Sequence, residues 1–562
     1  MRQLVCTSIL LSSLLLGCSG GGGEEPFTAP GIDSGSASAN YQPDNSPEPA
    51  IGAATSAPLD DPFEAVRFLH RTSFGPRADD IDAVLRTGYA DWLSMQLALP
   101  PTFMLPTTRS RAEPRWAEHV NSWFKLAVNA PDQLRQRTAF ALSQLMVVSD
   151  RNELSGQEAA LANYYDILIA NSFGNFRTLL EEVTLSPVMG DYLSMKGNQK
   201  ADPANNIRPD ENYAREILQL FSIGLSKLNL DGTVVTDDDG VPVPTYDQST
   251  VEAFARVFTG WHFQDVDNWN YPDNADWFSP MQAYEQFHDT EEKTLLDGYT
   301  LPAGQSAEQD MQDALDNIFN HPNTGPFISR HLITQLVTSN PSPQYIARTA
   351  AIFNDDGTGT RGNLAAVVSA MLLDPEALNG YREMPTTFGK LREPLIRLVA
   401  MWRAFGGNPD HPDFEYGWIQ EQLAQAPLQS PTVFNFFSPD FSQPGAVRDA
   451  ALKSPVFQIH NESSIISITN TLLAHSLWHN TGDGNFDPSR APVDLAPLSA
   501  LDDSPAQQID LLSQLILNRP ASDGLRTQAE LLRSERVYAD ANNRAAELLF
   551  LFASSPEAAI QQ

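Results

Sequence analysis

Only two cysteines occur in the 562 residues, Cys6 and Cys18. Both lie in the first eighteen positions, so the body has no thiol for a structural disulfide or a catalytic cysteine. Basic residues are also scarce: 36 Lys and Arg stand against 70 Asp and Glu, a formal net charge of −34. Phosphate recognition needs a basic footprint and no basic cluster compensates, so nucleic acid is excluded as a partner. The acidity suits solubility or a cation-rich exterior. After the N-terminus no long uninterrupted apolar run occurs, which excludes a second membrane anchor. Three catalytic signatures are missing as well: G-x-S-x-G, H-E-x-x-H and the P-loop. Residues 357–362, GTGTRG, match G-x-G-x-x-G, but a helix over 344–353 is predicted where a strand should precede it. Asp374 also comes too soon to be the ribose-binding acid, so the stretch reads as a helix–helix connection. The Asp-Gly runs at 237–240 and 354–357 lack the acid spacing and closing Glu of an EF-hand loop.

What is present begins with a signal. Met1-Arg2 is a positive start and Leu4 to Leu16 is mostly apolar, too short to span a bilayer comfortably but suited to a signal h-region. It ends in Leu15-Leu16-Gly17-Cys18, which resembles a bacterial lipobox. That resemblance implies cleavage after residue 17 and lipidation of the Cys18 thiol; the alternative is an ordinary signal peptide with a chance Cys. Residues 18–61 are rich in Gly, Ser, Pro and acid and cannot bury enough surface to offset chain entropy. They read as a disordered tether, and about 40 flexible residues span roughly 35 Å on average. The body is then 62–562, where 42% hydrophobic and 19% charged residues over the whole chain mark a globular composition.

From Pro62 onward helix follows helix. Asp60 or Asp61 caps the first, with Pro62 in its first turn and Val66, Leu69 and His70 at helical spacing. A second opens at Asp79-Asp80 and ends near Gly88. Further helices are predicted at 134–146, 163–170, 176–185, 307–319, 326–337, 344–353, 363–373, 391–405 and 543–552. The exception is 228–246, where two Asp-Gly dipeptides flank a β-branched run and predict a small inserted hairpin. Residues 264–305 and 406–460 read as long loops. The fold class is therefore mainly α: one large multi-helix domain with a small inserted β-hairpin and long loops.

The most charged helix is 205–224, NNIRPDENYAREILQLFSIG. Asp210 can cap it and Gly224 can end it. Ala214, Ile217, Leu218 and Phe221 form one apolar face, with Glu211 and Arg215 four apart at its border. Tyr213 and Leu220 widen the apolar surface, so Glu216 is expected to be enclosed and to need a partner or a shifted pKa. A second helix, 249–260, carries Arg256 off its apolar face as the expected counter-ion of Glu216. The pair reads either as a structural salt bridge or as part of a ligand or metal site. Trp261-His262-Phe263 follows, and Phe287-His288-Asp289 lies in the next loop. Glu211, Glu216, His288 and Asp289 have ligand-type side chains, but their spacing matches no standard metal motif, so the metal and any cofactor stay unassigned. Trp261, Trp269, Tyr271, Trp277, Phe278 and Tyr284 make 261–287 dense in aromatics, which suits either a groove for sugar or peptide or a lid folded on the body.

Nine segments give the chain a family resemblance. They are RFLHRTSFGPRADDI at 67–81, LRQRTAFALSQLMVVSD at 134–150, RPDENYAREILQLFSIG at 208–224, TYDQSTVEAFARVFTGW at 245–261, FHDTEEKTLL at 287–296, HPNTGPFISRHLITQLVTSNPSP at 321–343, RGNLAAVVSAMLLDPEA at 361–377, KLREPLIRL at 390–398 and SPTVFNFFSPDF at 430–441. With them the chain resembles the bacterial family catalogued as domain of unknown function 1800. The resemblance implies a secreted or envelope protein, largely helical, and no established reaction. It also implies a neighbour, because genes of that family often stand beside a second secreted family, domain of unknown function 1501. One departure is Asp210, where many members carry Asn.

Three functions are therefore expected to compete. The first is a lipid-anchored envelope protein, scaffold or accessory to a secreted partner. The second is an envelope hydrolase with Glu211, Glu216 and His288 as catalytic groups and Arg215, Arg256, Trp261, His262 and Asp289 around its ligand. The third is a carbohydrate-binding surface on the 261–287 aromatics.

Overall fold

The computed structural model describes residues 56–110, 116–151, 154–409, 416–478, 493–536 and 540–562. The signal peptide, both cysteines and the tether as far as residue 55 lie outside the described residues. The end of the tether already rests on the body: Leu59 packs on the core and its N–H donates to the Leu85 carbonyl at 2.9 Å.

Helices begin where the capping chemistry predicts. Asp61 accepts from the Phe63 N–H at 2.9 Å and opens the helix Pro62–Thr72, whose Val66, Leu69 and His70 are buried. Asn175, Ser306, Ser342, Asn363 and Asp540 cap the helices Phe176–Leu185, Ala307–Asn320, Pro343–Asn354, Leu364–Leu373 and Ala541–Ser554 in the same way. Gly88, at φ 76°, breaks Ala78–Ala98 into two helical pieces. The helix expected to start at Leu391 starts instead at Pro394. Proline keeps the residue before it out of the α region, and Glu393 sits at φ −59°, ψ 138°. The freed Lys390–Leu391 pairs antiparallel with Ile560–Gln561.

The inserted hairpin is present and carries a further turn. Lys227 N–H donates to Val243 O (2.8 Å), Val243 N–H to Val235 O (2.9 Å) and Val235 N–H to Lys227 O (2.8 Å). Three short extended runs are thus bonded in a ring, with Gly232 and Gly240 at positive φ in its two turns. Strand pairing elsewhere is brief: Trp261–His262 with Gln282–Ala283, and Lys293–Thr294 with Thr300–Leu301. The 357–362 stretch is a loop between helices, held by Asp355 Oδ1 accepting from the Gly357 and Gly359 amides and by Asp356 Oδ1 accepting from Thr358. One continuous hydrophobic core joins the helices, and a small satellite of Phe437, Val456 and Ile459 lies under the 430–460 loops. No helix among the described residues is long and apolar enough to cross a membrane.

Candidate functional site

The charged helix forms Asn212–Gln219, with Asp210 Oδ1 accepting from the Asn212 N–H at 2.8 Å. Gly224, at φ 72°, closes its C-terminal turn by donating to Leu218 O at 3.0 Å. Glu211 and Arg215 meet at 2.8 Å, and Gln248 donates to the same carboxylate at 2.9 Å. The pair is 35% and 41% exposed, which makes it a surface ion pair of small energetic value. Glu216 is enclosed, with 6% exposure, and its Oε2 has no hydrogen-bond partner. Burial raises its pKa and Arg215 only partly offsets that.

The counter-ion expected for Glu216 is elsewhere, which corrects the predicted salt bridge. Arg256, in the helix Gln248–Val257, faces Asp289 at 3.6 Å and Glu291 at 3.8 Å. Gln248–Val257 turns its off-face side chains toward the 288–293 loop, which the sequence pattern of one helix could not reveal. The buried ion network is centred there. Lys293 Nζ lies 2.7 Å from Asp310 and 3.7 Å from Asp289, and His288 Nε2 lies 3.0 Å from Asp310. His288 and Asp310 are 0% exposed.

Thr259, His288 and Asp310 stand in the order of a nucleophile, a base and an acid, with Thr259 Oγ1 3.3 Å from His288 Nδ1. The bonding rules the chemistry out. Nδ1 faces the Thr259 carbonyl at 3.0 Å, so it donates and has no lone pair for a proton. The Thr259 hydroxyl donates to Arg256 O at 2.7 Å and accepts from the Asp289 amide at 2.9 Å. All three side chains are sealed from substrate. The cluster holds the 288–293 loop against two helices.

Trp261 and His262 are both 3% exposed. His262 Nδ1 accepts from the Phe263 N–H at 2.8 Å, and burial lowers its pKa to about 4, so the ring is neutral at pH 7. Trp269 stacks on Phe287 at 3.9 Å and meets Tyr284 at 5.7 Å; Phe263 meets Trp277 at 4.9 Å. The aromatic loop is thus largely folded on itself, leaving Tyr271 at 81% and Phe278 at 41% exposed. Glu211, Glu216 and His288 stand in three different settings: a surface pair, an enclosed unpaired carboxylate and a sealed ion network. Among the described residues no group of three His, Cys, Asp or Glu side chains is arranged to hold a metal ion.

The structure supplies a concave site elsewhere. A cleft of about 410 Å³ runs between the C-terminal turn of the charged helix, the helix Thr324–Leu336, the inserted hairpin and the 433–440 loop. Its volume falls in the range of ordinary ligand pockets. Leu220, Ile223, Phe327, Val433 and Phe437 line its walls, and Leu225, Val234 and Phe434 stand at 57%, 46% and 56% exposure on its rim. Polar groups line it too. His331 Nε2 lies 2.8 Å from Ala141 O; a carbonyl only accepts, so Nε2 carries the proton and Nδ1 is left as an acceptor. Burial lowers the His331 pKa to about 4, which keeps the ring neutral at pH 7. Gln335, one turn on, is 8% exposed, and its Oε1 has no partner.

Asn435 donates to Gln144 (2.6 Å), Gln144 donates to Glu393 (2.7 Å), and Gln425 donates to the same Glu393 oxygen (2.6 Å). Lys390 is lowered to about 8 by burial and donates to the Thr334 and Gln335 carbonyls at 3.0 and 2.7 Å. None of these residues had been singled out from the sequence. The available signal was His331 and Gln335 four apart on one helix, among the apolar Phe327, Ile328, Leu332, Ile333 and Leu336. Five of the segments that carry the family resemblance, 134–150, 208–224, 321–343, 390–398 and 430–441, meet at this cleft.

Comparison with known proteins agrees with the resemblance. A family profile described as "Protein of unknown function (DUF1800)" matches residues 67–560, nearly all of the helical body. No curated protein and no solved structure matches the chain. The chain belongs to the DUF1800 family of proteins of unknown function.

Proposed function

We propose that this protein is an accessory of the bacterial cell envelope, tethered by lipid on Cys18, which holds a secreted partner through the cleft beside the charged helix. The observation that carries the reading is the cleft: apolar walls, an exposed apolar rim and a few fixed polar groups, the composition of a recognition site. The His331 ring bonded to a backbone carbonyl and the Lys390 ammonium engaged by two others suit positioning more than proton transfer. The lipobox-like LLGC and the acidic tether support the anchored location, facing the periplasm or the exterior. The partner offered by the resemblance is a secreted protein of the domain of unknown function 1501 family.

The test is two-fold. Full-length protein in detergent, mixed with such a partner, should bind, and Phe434→Ser with Leu225→Ser should weaken binding at least about tenfold, as removal of interface anchors does. Absence of binding, or binding indifferent to both changes, overturns the reading. Cys18→Ser should move the protein from the membrane fraction to the soluble fraction. A second reading, an envelope hydrolase, is favoured by one observation: Glu216 is enclosed, unpaired and raised in pKa, as a general acid would be. Release of soluble fragments from purified envelopes, abolished by Glu216→Gln, would support it.

A further inference from the structure

We propose that the recess lined by Arg392 and Arg397 binds one small monovalent anion, of the size and charge of chloride. This is a second site, apart from the cleft, and it stands whether or not the cleft holds a partner. The recess lies where the helix Pro394–Ala404 meets the Ser513–Leu517 turn and the end of the helix Ala541–Ser554. Ala400, Met401, Ile516 and Ala553 give it apolar walls, and its volume of about 10 Å³ is room for one body near the size of a water molecule. Phosphate and sulfate are too large for it.

Two guanidinium groups meet there without a carboxylate. Arg392 is 3% exposed. Its Nη2 donates to Ile516 O at 3.1 Å and its Nη1 to His70 Nδ1 at 3.4 Å. Both partners are neutral, since burial holds the His70 ring well below its ordinary pKa. Arg397 Nη2 donates to Ala553 O at 2.8 Å. The Nε atoms of both arginines are sealed, but Arg397 Nη1 keeps accessible surface and has no hydrogen-bond partner among the described residues. Neither arginine makes an ion pair among the described residues, and the charged groups acting on Arg392 are cations, Arg397 and Arg519. Glu393, next along the chain, is taken by Gln144, Gln425 and Lys390, and Glu557 by Ser522.

A guanidinium cannot escape this by losing its proton. Burial lowers Arg392 to about 9 and Arg397 to about 10, which leaves both charged at pH 7. An enclosed charge without a counter-ion is costly, and two neighbouring cations add repulsion to that cost. A small anion relieves both and leaves intact the bonds that tie Ile516 and Ala553 to the arginines. The net charge of −34 repels anions at long range, but physiological salt screens it beyond about 8 Å, and within that distance the guanidinium groups prevail.

The test melts full-length protein in detergent at constant ionic strength while sodium chloride replaces sodium gluconate, whose anion is too large for the recess. The melting temperature should rise with chloride and level off, by at least about 1 °C near tenfold saturation, as for a ligand that binds only the folded chain. Bromide should reproduce the rise. Arg397→Gln, which removes one of the two charges, should abolish it. Parent crystals soaked in bromide should show anomalous density within ion-pair distance of both guanidinium groups.

Equal melting temperatures in chloride and gluconate overturn the proposal, and bromide density without that dependence marks an adventitious ion only. A chloride dependence retained in Arg397→Gln places the anion elsewhere and overturns it as well. Should Arg397→Gln fail to fold, the bromide density of the parent decides, and its absence from the recess overturns the proposal. None of these outcomes bears on partner binding at the cleft.

Discussion

Asp310 carries more of the molecule's stability than either glutamate of the charged helix. Its carboxylate receives Lys293 at 2.7 Å and His288 at 3.0 Å with no access to water. Removing one member of a buried ion pair typically costs about 3–5 kcal/mol, because the other charge is left stranded. Asp310→Asn is therefore expected to lower the urea unfolding free energy by that order, while Glu211→Gln, at a half-exposed pair, should change it by less than about 1 kcal/mol. Glu216 behaves in the opposite sense. Its folded pKa is raised, so its charged form is disfavoured in the folded state and weighs against stability at neutral pH. Glu216→Gln should be more stable than the parent at pH 7. The difference should shrink as pH falls through the raised pKa, where the parent takes up its proton. Unfolding midpoints at pH 7 and pH 5 measure this, and a difference that grows on acidification would contradict it. The enclosure of Glu216 was legible from the apolar residues around it; its lack of a guanidinium partner was not, because partner choice depends on how two helices are rotated.

At the scale of the element, most of what the sequence promised is present. Caps are local chemistry: a side-chain oxygen and an amide two or three residues on, independent of the rest of the fold. Phe176–Leu185 and Leu364–Leu373 begin beside the asparagines that cap them for this reason. Where proline constrains the residue before it, the helix starts later than the apolar spacing predicts, as at Glu393 before Pro394. Two substitutions test these local terms. Asp61→Ala removes the acceptor of the Phe63 amide and should cost about 1 kcal/mol. Gly224→Ala forces a Cβ into φ 72°, 3.1 Å from the Phe327 ring, and should cost about 1 kcal/mol or more. Because Gly224 and Phe327 both line the cleft, the second change should also weaken partner binding, whereas Asp61→Ala should not. Thermal unfolding and binding measured on the same two variants separate the effects.

At the scale of the whole molecule, the excess of 34 acidic charges sets the behaviour in solution. Like charges repel in the compact state, so screening should stabilise it. Raising NaCl from ~10 to ~150 mM shortens the Debye length from about 30 to about 8 Å and is expected to raise the melting temperature. A flat or falling salt dependence would show that the acids are already matched by local partners. The sequence alone determined the helical class, most helix starts, the inserted hairpin and the family, because each follows from neighbours along the chain or from short contiguous motifs. Only the tertiary structure decided the site. His331, Gln335, Lys390, Gln144 and Asn435 come from segments up to about 290 residues apart, and what unites them is the packing of helices around one cleft. The same holds for Arg256, whose choice of Asp289 over Glu216 is a matter of distance in space, on which spacing along the chain is silent.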